Sequence, residues 1–168
     1  MPNAVTLTGW KEFEDKCKGL PAVLTKEIGL EVEASAQFWA SGAKRDAPVD
    51  QGFLRGLITS KKTGPMTAEA TSPAEYSAYM EWGTKTRVKV PSELQAYAEE
   101  FRSKGSIGAK KMIYAWMERV GIPKQFQFIV FLSIITKGIH PHPFFFVQMP
   151  KVEEYLKKNV QNILNTEH

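Results

Sequence analysis

Few residues in this chain have types and spacings that would support chemistry. Asp46 and Asp50 lie four apart, a spacing that on one continuous helix sets two carboxylates side by side for acid–base or metal work. Pro48 stands between them and forbids that shared face. In Pro48-Val49-Asp50-Gln51-Gly52 the second acid suits a turn, where its side chain bonds backbone amides. A metal-dependent hydrolase would need Asp50, Glu81 and His142 gathered by the fold. His140 and His142 sit two apart in an extended stretch and would face one side. A metal asks for more ligands than two, and the third histidine, His168, is the final residue. Gly-x-Gly-x-x-Gly, Gly-Lys-Ser/Thr and Gly-x-Ser-x-Gly patterns do not occur, so neither a phosphate-cradling loop nor a nucleophile elbow is indicated. Lys61, Lys62, Lys85, Arg87, Lys89, Lys110 and Lys111 fall in or near turns. A nonspecific nucleic-acid-binding module would use them on a phosphate backbone at low salt. They lack the interleaved aromatics that stack bases, and a solvated surface is the plainer reading.

Composition narrows the class further. The chain has 168 residues, of which 43% are apolar and 24% charged, the mix of a globular, soluble protein of one domain. Lys and Arg number 22 against 18 Asp and Glu, a mild surplus of +4 that does not by itself mark a nucleic-acid binder. The single cysteine, Cys17, excludes an internal disulfide and a Cys-based zinc site. Met1 to Trp10 has no basic start or apolar core, so no signal peptide is expected there and the compartment reads as reducing. The most apolar run, Phe126 to Ile135, is about half the ~20 residues a bilayer demands, so it reads as core or interface and no membrane is expected.

The elements that must position these residues follow from periodicity. Residues 10–47 read as helical, divided by Gly19 and Pro21. In the longer helix Leu24, Ile28, Val32, Ser35 or Ala36, Trp39 and Ala43 form one stripe, and Pro48 ends it. Residues 52–90 shift to alternation. Leu54, Gly56 and Ile58; then Met66, Ala68 and Ala70; then Tyr76, Ala78, Met80 and Trp82 read as three strands of an antiparallel meander, with turns at Lys61–Pro65 and Ser72-Pro73. Residues 91–138 return to helical spacing, broken at Gly105, closed at Gly121 and Pro123, and stopped at Gly138. The third helical stretch carries Phe128, Phe131, Leu132 and Ile135 on one side and Phe126, Ile129, Val130 and Ile134 on the others. It must be covered on both faces by this chain or another. His140 to Phe146 is extended between prolines, and a final helix after Pro150 carries Val152, Leu156, Val160 and Ile163 in phase. Trp39, Trp82, Trp116 and Phe144-Phe145-Phe146 read as core. Three adjacent phenylalanines in extended chain cannot share one side, so at least one is expected to seek cover elsewhere, on a neighbouring subunit. The fold class expected is α+β: a small antiparallel sheet over about 53–90 packed on a long N-terminal helix, with an inserted helical segment and a C-terminal helix.

Three short motifs then stand out in order. Ala47-Pro48-Val49-Asp50-Gln51-Gly52-Phe53-Leu54-Arg55 resembles the Ala-Pro-Val-Asp-Thr-Gly-x-Leu-Arg signature of a phage tail-component family, the neck and tail-completion proteins of long-tailed, lambda-like bacteriophages. Tyr76, Tyr79, Glu81, Gly83 and Thr84 match that family's Tyr-x-x-Tyr-x-Glu-x-Gly-Thr strand. Pro141, Pro143, Phe144 and Phe145 match its Pro-Phe-Phe segment. The resemblance runs over about residues 8 to 165, and 92–138 resembles the helical insertion of longer members. Gln51 replaces the usual Thr, and Phe146-Val147-Gln148-Met149-Pro150 replaces an Arg-Pro-Ala-like sequence.

The resemblance implies a structural virion protein with no catalytic centre and no cofactor. Identical copies would form a closed, sixfold ring at the head–tail junction, between a head connector or head-closure protein and a tail terminator or tail tube protein. DNA would pass through the lumen without sequence-specific binding, and assembly would occur in the host cytoplasm. Arg55 and Glu81 are expected to pair across the sheet. The surfaces expected to meet neighbours are a sheet edge, the loop of Lys85, Arg87 and Lys89, and the apolar residues Phe128, Phe131 and Phe145.

Overall fold

A computed structural model describes residues 21–49, 52–74, 76–84, 90, 92–108 and 110–166. It is α+β and mostly helical. Its elements are α1 (Ala22–Asp46), α2 (Phe53–Leu57), β1 (Thr59–Gly64), β2 (Thr67–Thr71), α3 (Ser77–Trp82), a 3₁₀ turn at Ser92–Leu94, α4 (Gln95–Gly108), α5 (Lys110–Arg119), α6 (Lys124–Lys137), a 3₁₀ turn at Phe146–Gln148 and α7 (Met149–Thr166). The chain divides into two compact units. One is drawn from the described parts of Met1–Ala47, Phe53–Pro73 and Phe144–His168, the other from Pro48–Gly52 and Ala74–Pro143. The short helix expected before Gly19 lies outside the described residues.

In the first unit α1 begins where Pro21 directs. The Pro21 carbonyl accepts from the Thr25 amide at 3.0 Å and the Thr25 hydroxyl at 3.2 Å. The expected stripe is buried along the whole helix: Leu24, Ile28, Val32, Ser35, Ala36, Trp39 and Ala43. The one hydroxyl in it is satisfied, Ser35 Oγ donating to the Glu31 carbonyl at 2.8 Å. α1 packs on both strands and on α7. Ile28, Val32, Met66 and Val160 form a core joined by Ala68, Leu156 and Ile163. The hairpin turn presses directly on α1: a Cβ built on Gly29 would collide with the Pro65 carbonyl.

The sheet is smaller than the alternation predicts. It is a two-stranded antiparallel hairpin, with Thr59 opposite Thr71 and Lys61 opposite Glu69, and an irregularity between Lys62 and Gly64. Lys61 and Lys62 are strand residues, not turn residues. Lys61 pairs with Glu69 directly across at 2.9 Å, and Lys62 reaches Glu33 of α1 at 3.6 Å. The other two expected strands are helices. Leu54 and Ile58, 1% and 0% exposed, are spaced i, i+4 as well as by even steps, so one apolar pair satisfies both periods. Ala78 and Trp82 repeat the ambiguity, and in α3 Ser77, Ala78, Tyr79, Glu81 and Trp82 are all buried. A short segment covered on most sides has no polar face to reveal its period.

In the second unit the helical reading of 91–138 holds, except that α4 runs through Gly105 to Gly108. α5 and α6 form a hairpin turned by Gly121 (φ 77°) and Pro123. Gln127 donates to the Ile122 carbonyl at 3.1 Å, tying α6 to that turn. Tyr114 meets Phe131 with ring centroids 5.1 Å apart, and Lys110 lies over the Phe131 ring. Among the described residues no helix is long and apolar enough to cross a membrane.

Candidate assembly surface

The first motif is a device for ending α1. Pro48 forces the preceding residue, Ala47, out of the helix to φ −64°, ψ 139°. Gly52 takes φ 77°, and α2 then buries Leu54 and turns Arg55 back. Arg55 Nε and Nη2 donate to the Ala47 carbonyl at 3.2 and 3.0 Å, and Nη2 also reaches the Arg45 carbonyl at 3.2 Å. A fixed cation thus covers carbonyls at the negative end of a 25-residue helix. Arg55 lies on α2 and Glu81 is buried on α3, so the two are not on facing strands as the sequence suggested. Arg55→Met keeps the apolar stem and removes the donors. Urea unfolding is expected to show a loss of about 1–2 kcal/mol, and Arg55→Lys should recover only part of it, because an ammonium lacks the planar fork.

The third motif fastens the same helix through Trp39 and Asp46. Trp39 Nε1 donates to the Phe145 carbonyl at 2.9 Å, with the two rings 5.3 Å apart. Gln148, 1% exposed, donates to Asp46 Oδ2 at 2.7 Å and to the Phe144 carbonyl at 3.2 Å. Phe144, Phe145 and Phe146 are 1%, 7% and 7% exposed, so all three find cover in their own chain and none awaits a neighbouring subunit. The extended run ends in the 3₁₀ turn Phe146–Gln148, which fans successive side chains in different directions where a strand would alternate them. Phe145 is therefore core, and Phe131, 6% exposed beneath Tyr114, likewise offers no free ring to a partner.

Asp46 carries the clearest electrostatic signature. The hydrogen bond from Arg45 Nε at 3.0 Å, then the one from Gln148, hold its carboxyl below the usual carboxylate value. A depressed folded-state pKa contributes stability that is present above the ordinary carboxylate range and lost as pH falls through the folded value. Wild type should lose stability below about pH 4 more steeply than Asp46→Asn, which keeps an acceptor for Gln148 but cannot titrate. Thermal melts of both proteins across that range measure the difference.

The second motif builds the other unit. Thr84 and Ile139 exchange bonds: the Thr84 amide donates to the Ile139 carbonyl at 3.1 Å, and the Ile139 amide donates to Thr84 Oγ1 at 2.8 Å. The His142 amide donates to the Met80 carbonyl at 2.6 Å. Gly83 takes φ 66° directly against Ile139 and Pro141. Tyr79 is buried, and Arg119 lies over the Tyr76 ring at 5.9 Å. The motif that resembles a strand in the sequence is thus a short helix whose exit docks residues 139–142.

Of the candidate reactive groups, Asp50, Lys85, Arg87 and Lys89 lie outside the described residues. His140 and His142 are exposed, and among the described residues no group of three His, Cys, Asp or Glu side chains is placed to hold a metal ion. What the surface does display is apolar. α6 exposes Phe126, Phe128, Ile129 and Leu132, and α1 exposes Val23, Leu30 and Phe38. The α6 face follows from a helix apolar nearly all round; the α1 row hides among charged residues and was missed.

Residues 11–83 match the family model described as "Bacteriophage HK97-gp10, putative tail-component". The match takes in the first motif and the second as far as Gly83, so the resemblance to a phage neck and tail-component family stands on the long helix and both of these motifs. Neither the curated proteins nor the solved structures give a significant match.

Proposed function

We propose that this structural phage protein assembles as a ring of identical copies at the head–tail junction, completing the neck or tail. The observation that carries the reading is the family match over residues 11–83. The internal use of all three motifs supports it. They cap, lock and dock backbone segments, which is what a rigid ring subunit requires of them. The exposed apolar faces of α1 and α6 supply surface for neighbours, and a closed ring needs two different patches on each subunit. The head connector on one side and the tail terminator or tube on the other are the partners in this reading. DNA crosses the lumen without base-specific contact, and the sixfold count is part of the proposal.

Deleting the gene from a phage that encodes it tests this. Lysates are expected to hold full heads and separate tails, with joining restored when purified protein is added. Normal joining without the protein, or purified particles that lack it, would overturn the reading.

A further inference from the structure

We draw no further inference here: the strongest candidate, the outward face of α6 with Phe126, Phe128, Ile129 and Leu132, is an unpartnered apolar surface, and nothing in the structure shows what covers it.

Discussion

Gly83→Ala is expected to destabilise the second unit by roughly 3 kcal/mol or more. Two effects add. At φ 66°, ψ −179° Gly83 lies in a region essentially reserved for glycine, where any L side chain is strained by about 1–3 kcal/mol. The new Cβ would also stand 2.8 Å from the Ile139 carbonyl oxygen and 2.8 and 2.9 Å from Pro141 Cδ and N. Those atoms belong to backbone and a proline ring, which cannot rotate aside as a flexible side chain would. Relief requires residues 139–142 to lift, and that breaks the paired Thr84–Ile139 bonds. Gly121 supplies the control. It has φ 77° with nothing within 4 Å of a built Cβ, so Gly121→Ala should show the conformational cost alone, about 1 kcal/mol. Urea unfolding measures both. Hydrogen exchange should show the Thr84, Ile139 and His142 amides losing protection in Gly83→Ala and keeping it in Gly121→Ala. Equal losses in the two variants would mean that the crowding at Gly83 is relieved at no cost.

The helices were readable because their signals are long or punctuated. Over 25 residues, the stripe from Leu24 to Ala43 admits only one period, and Pro48 and Gly138 mark ends that backbone sterics enforce. The five- and six-residue segments were not readable. Leu54/Ile58 and Ala78/Trp82 fit both periods, and tertiary burial decided for helix in each case. The three motifs drew attention to their residues but did not disclose what each one bonds to. Arg55 is bonded to carbonyls eight and ten positions back, and Gln148 to Asp46 at a separation of 102, relations that no spacing rule encodes. Phe145 illustrates the loss most clearly. An extended chain would strand one of three phenylalanines, and a single 3₁₀ turn removes the difficulty.

Trp39→Ala is expected to cost about 3–5 kcal/mol in the isolated protein, the usual penalty for emptying a buried aromatic site. Trp39 is 6% exposed, its ring meets Phe145, and its indole donates to the Phe145 carbonyl. Trp39→Phe separates these contributions. It retains most of the ring contact and orphans the carbonyl, which should cost about 1–3 kcal/mol. Chemical denaturation of dilute protein, below any concentration at which copies associate, is the decisive measurement. If Phe145 were held by a neighbouring subunit, as an extended Phe144-Phe145-Phe146 would demand, dilute wild type and Trp39→Ala would unfold alike and only assembly would suffer. A large loss at high dilution instead places the Phe145 contact inside the chain. The third motif would then act as an internal fastener of its own unit.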